Sequence, residues 1–318
     1  MPFRYDFPTS QPPLRSPSGR RVLRIGHSGA GHHAPPNSMR SLQLALDMGA
    51  DMVEFDVRGC ADGLILSHDE TVETGDGLAL LSHLSIQEVR SLTVKGEPIA
   101  TLDEALDLAK GRSLVNLDMK DAGREREVAD AILRHGMTDE VLVSSLYAGS
   151  LRRLREILPD VTTGMSYPED KGGASGKPYM APIVSVTLWG MRRLLPVIMG
   201  RLLGQSGADN VMLYHKVITP GSVRAFHSAG VRVFAWTVDG PERMRQLLAM
   251  DVDGIATNRP EMFFWGGGMS DPQSSHHPAL QDPVKVGRPS LRAKRSNPCF
   301  AASRLLTSEI ASSLRSSQ

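Results

Sequence analysis

Between Leu23 and Phe264, short runs of β-branched and aliphatic residues alternate with stretches whose apolar positions fall at helical spacing. That alternation marks βα units feeding a parallel sheet. The runs predict strands near residues 23–27, 52–57, 113–120, 141–145, 161–165, 210–215, 232–238 and 254–257. The intervening patterns predict helices over 38–48, 103–110, 124–136, 148–157, 182–204, 220–229 and 241–250. Eight strands in this order predict an α/β protein, a closed (β/α)8 TIM barrel. In the first helix Leu42, Ala45, Leu46 and Gly49 form one stripe for a sheet to cover, and Asp103 and Thr219 stand where helix caps belong.

The pattern breaks between about residues 70 and 100, where a Gly-rich loop and a short helix around Ile86–Leu92 predict a small insertion between the second and third strands. It also breaks at both ends. Residues 1–21 are Pro-rich, lack the apolar core of a signal peptide and are expected to form a mobile leader. From 269 to 318 a Ser- and Arg-rich tail cannot bury enough apolar surface to offset the entropy of ordering, so disorder is expected there. The barrel is therefore expected to span 22–268. The adjacent His276 and His277 lie in the tail and are taken as solvated residues.

A net charge of +1 over 318 residues gives no bulk attraction to nucleic acid, so an anionic ligand must be recognised locally. Two cysteines, Cys60 and Cys299, provide no disulfide framework and suit a reducing compartment, which makes a cytoplasmic location the expectation. The most apolar segment, 178–203, is interrupted by Arg192, Arg193, Pro196 and Arg201, and no uncharged run approaches the roughly 18 residues of a membrane span. A barrel helix is the expected role, with peripheral membrane contact as the alternative.

Chemistry concentrates between Ile25 and Asp69, in the segments IGHSGAGHHAPPNS, GADMVEFDV and DGLILSHD. Glu54 and Asp56 share one face of a strand, since side chains two apart point the same way. In such a barrel the active site sits at the C-terminal strand ends, where His27, Glu54, Asp56, Asp118 and Lys120 would converge. Three carboxylates suit one hard divalent cation, Mg²⁺ or Ca²⁺, rather than zinc. The competing structural reading pairs Glu54 with Lys120. His27 and His68 flank the carboxylates and suit general acid–base work. Lys120 can face a phosphate oxygen, and Trp236, expected to share a face with Phe234 and Val238, fills the barrel or walls the alcohol site. His32, His33 and His215 are read as loop residues with local hydrogen bonds.

These motifs, in this order, resemble the glycerophosphodiester phosphodiesterase family, whose signature runs HRG, a P-E-N-T-like segment, E-x-D and H-D. His27, Gly29, Asn37, Glu54, Asp56, His68 and Asp69 fall on it, and 116–120, 233–238 and 252–260 agree as well. The resemblance implies hydrolysis of a small-molecule phosphodiester to glycerol 3-phosphate and an alcohol. It also implies a bound cation, acid–base roles for His27 and His68, substrate contacts at Ser28, Asn37, Lys120 and Trp236, and an insertion lying over the barrel mouth. Ser28 stands where the family has arginine, Pro36 where it has glutamate and Asp118 where glutamate is usual. Serine cannot supply the charged fork of an arginine, so weaker binding of the phosphodiester is expected unless another cation compensates, with Arg58 or His33 the candidates. Two other functions are compatible with these departures. One is a lysophospholipase D-type activity, with the 182–204 helix and the insertion admitting an acyl chain. The other is a catalytically weak barrel that binds phosphorylated ligands.

Overall fold

The computed structural model describes residues 12–75, 77–168 and 181–267, with the side chains of 181–189 and 265–267 left aside. Eight parallel strands close on themselves: β1 (Leu23–Gly26), β2 (Met52–Gly59), β3 (Leu114–Met119), β4 (Val141–Ser145), β5 (Thr162–Tyr167), β6 (Asn210–Tyr214), β7 (Arg232–Trp236) and β8 (Gly254–Thr257). Each pairs with its neighbour in sequence, and β1 pairs with both β8 and β2, which completes the ring. Leu23, Ile25, Met52, Leu114, Leu142, Met212, Phe234 and Ala256 pack as one buried cluster. Since they come from seven strands around the ring, they fill the barrel's interior, as this fold requires. The opposite strand faces pack under the helices in two larger clusters, one containing Val53, Phe55 and Val57 and the other Val233, Ala235 and Ile255.

Helix boundaries follow side-chain chemistry. Ser38 caps Met39–Asp47 by accepting from the Ser41 amide at 3.1 Å, and Thr219 caps Pro220–Ser228 in a reciprocal pair with Ser222. Asp103 is not a cap. The helix Leu102–Ala109 starts at Thr101, whose hydroxyl accepts from the Glu104 amide while the Glu104 carboxylate accepts from the Thr101 amide. Asp103 lies in the first turn and pairs with Arg134 and His135. The expected face shared by Trp236 and Val238 also fails, because β7 ends at Trp236 and Val238 packs in the outer cluster.

After β2 the chain turns back through Leu64–Leu66, antiparallel to β2 in the register Val57↔Leu66, and so carries His68 toward the mouth. The insertion follows. Two small hairpins, Thr71–Thr74 with Gly77–Leu80 and Thr93–Val94 with Glu97–Pro98, flank a short helix, Ile86–Arg90. Cys60, Ile65, Val72, Leu81, Val89 and Ile99 give this region a core of its own.

Residues 12–21, which composition assigns to a leader, make a turn with an Arg15↔Arg21 bridge. Ser18 Oγ reaches Asp251 at 2.6 Å, and Leu14 packs against the outer cluster. Residues 1–11 and the tail from 268 onward lie outside the described residues. Among the described residues no helix is long and apolar enough to cross a membrane.

At the end of the barrel opposite the site, Arg24 and Asp51 form a buried ion pair, 2 % and 1 % exposed. Its two side-chain bonds measure 2.8 and 3.0 Å, and the Arg24 amide adds a third at 2.9 Å. Asp51→Ala leaves that guanidinium buried without its main partner, and a loss of about 3–5 kcal/mol is expected. Urea unfolding of the variant, compared with Asp47→Ala on the exposed end of the first helix, measures it; equal losses in the two variants would contradict the assignment.

Candidate active site

Register builds the site. Glu54 lies opposite Asn116 and Asp56 opposite Asp118 across β2 and β3, and Asp118 lies opposite Ser144 across β3 and β4. The interior-facing carboxylates of Glu54, Asp56 and Asp118 therefore meet, each offering an oxygen within 4.8 Å of the others. Lys120 pairs with Asp56, at 2.8 Å, and with Asp118, rather than with Glu54. Burial would raise the Asp56 pKa, but the Lys120 ammonium outweighs it and holds that carboxyl below its usual value. The reciprocal effect raises Lys120 against its own burial. Glu54 has no such neighbour. Burial, reinforced by repulsion from Asp56 and Asp118 and opposed by His27, pushes its pKa up to about 7.

Loop residues brace these carboxylates. The Ser28 amide donates to Glu54 Oε2 at 2.7 Å, from a backbone with φ of 46°. Asn37 grips Asp56 at both ends of its amide: Nδ2 donates to Oδ2 at 2.8 Å, and Oδ1 accepts from the Asp56 backbone at 3.0 Å. Ser144 Oγ donates to Asp118 at 2.8 Å. Asn116 Oδ1, one strand from Glu54, is buried without a hydrogen-bond partner.

His27 is held at both nitrogens. Asp239 Oδ2 accepts from Asn258 Nδ2 at 2.7 Å, so the Asn258 carbonyl oxygen is the end turned to His27 Nδ1, at 2.9 Å. A carbonyl only accepts, which places a proton on Nδ1 and leaves Nε2 to face Thr237 Oγ1 at 3.1 Å and Glu54 at 3.9 Å. Burial lowers the His27 pKa, yet Glu54 and Asp56 outweigh it and the net shift is upward. His68 stands at the rim, its side chain 71 % exposed and its Nδ1 2.9 Å from Asp69. Arg58 anchors that turn, since its Nε donates to the His68 carbonyl at 3.0 Å while the rest of the guanidinium pairs with Asp121.

Two cavities open here. One, of about 360 Å³, runs into the barrel past Glu54, Asp118, Lys120, Ser144 and Trp236. The other, of about 640 Å³, runs out under the insertion past Ser28, Pro36 and Asn37. His27, Asp56 and His68 line both.

The Glycerophosphoryl diester phosphodiesterase family matches residues 27–262. The chain belongs to that family. It is 33 % identical over 248 residues to a Mycobacterium tuberculosis protein named "Probable glycerophosphodiester phosphodiesterase 2", covering 77 % of this chain and 89 % of that one. It is 28 % identical to a glycerophosphodiester phosphodiesterase of Caldanaerobacter subterraneus subsp. tengcongensis, covering 76 % and 96 %. Among solved structures, a glycerophosphodiester phosphodiesterase from Agrobacterium tumefaciens superposes with a TM-score of 0.60 at 24 % identity, covering 76 % and 98 %. An Oleispira antarctica phosphodiesterase in complex with the product sn-glycerol-3-phosphate gives 0.59 at 21 %, covering 76 % and 94 %. The family identifies the protein as a phosphoric diester hydrolase.

Several sequence-based placements change in this family's barrel. Asn37 lines the outer cavity, but its amide is committed to Asp56, so its task is to position a carboxylate. Ser28 faces the same cavity while its backbone serves Glu54. Arg58 and His33, the candidates to compensate for the missing arginine, are engaged elsewhere, Arg58 as above and His33 with Glu261 at 2.8 Å. Trp236 lines the inner cavity beside Tyr214, their ring centroids 5.7 Å apart. Asn258, Asp239 and Thr237 drew no role from sequence. The only signal was that Thr237 and Asn258 fall inside two of the matching segments.

His215 turns away from the carboxylates to accept from Arg243 Nε at 3.3 Å. Burial, with the nearby positive charges of Arg243 and Lys216, pushes its pKa down to about 4. An unfolded histidine titrates near 6.5. Between these values the unfolded chain binds a proton that the folded one refuses, so stability falls as pH drops from about 6.5 toward 4. His215→Gln is expected to shrink the gap in urea midpoint between pH 7.5 and pH 5, and an unchanged gap would show that His215 does not carry it.

Proposed function

We propose that this enzyme hydrolyses glycerophosphodiesters to glycerol 3-phosphate and an alcohol, with Glu54, Asp56 and Asp118 holding one Mg²⁺ or Ca²⁺ and His27 and His68 moving protons. The observation that carries the reading is the meeting of three carboxylates beside His27 at a mouth that His68 also borders. The product-bound Oleispira barrel supports the same substrate class.

The donor set fits a hard cation. All three ligands are oxygens, Lys120 neutralises two of the three, and the Asn116 oxygen lacks a partner that the cation's hydration would provide. When bound, the cation neutralises phosphate charge and orients the ester. Lys120, already poised between Asp56 and Asp118, offers its ammonium to charge building on a phosphate oxygen. His27 presents Nε2 as its exchanging nitrogen because Asn258 keeps the proton on Nδ1. His68 uses Nδ1 on Asp69, so its Nε2 is the nitrogen left to work at the rim. One imidazole accepts the proton of the attacking hydroxyl, and the other supplies one to the departing alkoxide.

Turnover of glycerophosphocholine with added Mg²⁺ or Ca²⁺ is the direct test. His27→Ala and His68→Ala are each expected to lower kcat by about 10²-fold or more while the circular dichroism spectrum and cation binding persist. A variant that turns over at the parent rate removes that histidine from the mechanism. Calorimetric titration of the cation into Asp56→Ala is expected to show at least a roughly tenfold weaker site, since second-sphere losses alone reach 10–100-fold. Unchanged affinity would remove Asp56 from the ligand set.

A further inference from the structure

Negative charge dominates the wall of the outer cavity. Asp56, Asp69, Glu73 and Glu97 all border it, and a phosphodiester entering there brings one negative charge more. Three of these carboxylates have basic partners of their own: Asp56 has Lys120 at 2.8 Å, Asp69 has His68 at 2.9 Å and Glu97 has Arg40 at 3.6 Å. Those partners are spoken for. Among the described residues that line the cavity, Lys95 is the only lysine or arginine, and it makes no ion pair with a described carboxylate. Ser28 and Pro36 bring no charge to the wall, and Arg58 and His33 are committed to Asp121 and Glu261.

Lys95 also holds its place against local preference. Thr93↔Pro98 and Val94↔Glu97 pair across a two-residue turn, Lys95-Gly96, whose φ values of 52° and 85° are both positive. Turns of that hand favour Asn, Asp or Gly at the first position, because a longer side chain gains nothing there and its Cβ crowds the backbone. An unfavoured backbone kept beside a ligand cavity points to a functional constraint. The hairpin is anchored at its base. Ile99 packs in the core of the insertion, and the Arg40–Glu97 pair ties the hairpin to the helix that Ser38 caps. Lys95 therefore stands on a fixed ribbon that shares one cavity with His27, Asp56 and His68.

We infer that the Lys95 ammonium binds an anionic oxygen of the diester phosphate from the outer cavity, as Lys120 is placed to do from the inner one. This rests on the diester-hydrolase reading of the mouth and assigns it a further substrate-binding residue. Lysine suits the task at a hairpin tip, since its charge rides on a flexible stem and needs no fixed bidentate geometry.

The test uses Lys95→Asn and Lys95→Arg. Asparagine fits the turn better than lysine, so the first variant removes the charge while the Tm is expected to hold or rise. Its KM is expected to rise about tenfold for both glycerophosphocholine and glycerophosphoglycerol, the lower end for a charge-assisted bond because Lys95 is exposed. The kcat is expected to hold, since binding of this kind serves substrate and transition state alike. Lys95→Arg is expected to return KM toward the parent value. An unchanged KM in Lys95→Asn, or a rise that arginine does not reverse, overturns the proposal while the hydrolase reading stands. A rise confined to glycerophosphoserine, which carries a second anionic group, also overturns it and makes Lys95 a contact of the head group. If the parent hydrolyses none of these diesters, the hydrolase reading fails and calorimetric titration with sn-glycerol 3-phosphate decides. Affinity lost in Lys95→Asn and regained in Lys95→Arg upholds the anion contact, and equal affinity in all three proteins overturns it.

Discussion

Three carboxylates that repel one another occupy one end of the barrel, and the register of β2 against β3 admits no other arrangement. With Glu54 across from Asn116 and Asp56 across from Asp118, their separation is fixed by backbone pairing rather than by side-chain choice. The surrounding residues answer that crowding. Lys120 takes up two of the charges, Asn37 and Ser144 each brace one carboxylate, and the Ser28 amide reaches the third from a backbone conformation that L residues seldom adopt. Glu54, the carboxyl without a lysine, is the one held near neutrality by its surroundings. The three carboxylate oxygens so gathered lie within 4.8 Å of one another and are the candidate ligands of the proposed cation.

Periodicity carried most of this into the sequence. The two-residue spacing of Glu54 with Asp56 and of Asp118 with Lys120 reveals a shared face without any tertiary knowledge, and eight strands alternating with seven helices leave little choice of fold. What periodicity cannot carry is contact across the ring. His27 is oriented by Asn258 and Asp239, more than 200 residues away in sequence, because β1 and β8 are neighbours only once the barrel closes. The same closure commits His33 to Glu261. Local competition explains the remaining differences. Thr101 and Asp103 are both capping residue types, and only the reciprocal partner Glu104 selects the first. Val238 follows the alternation of β7 on paper, but the strand has already ended.

Ser28 and Pro36, two of the three departures from the family pattern, line the same cavity. Where relatives would place a cation and an anion, this chain places a small hydroxyl and a hydrocarbon ring. The exchange removes one charge of each sign, so the local balance is kept while the wall loses polarity and bulk. Arg58 does not restore the lost cation, because its guanidinium secures the turn that bears His68. Lys120 lines the inner cavity between Asp56 and Asp118.

The insertion leaves and rejoins the barrel at nearly the same place. Leu66 receives the returning chain through a bond from its amide to the Ala100 carbonyl at 2.8 Å, and Ile65 bridges Thr101. Everything between His68 and Ala100 is therefore a closed excursion whose ends are pinned by the ribbon that holds His68. The cost of lengthening such a loop grows only logarithmically with its length, about 0.6 kcal/mol per doubling. Hairpins could be traded, added or trimmed there with no displacement of the carboxylates or of either imidazole. The excursion can thus change while β2 and β3 keep the carboxylates in register.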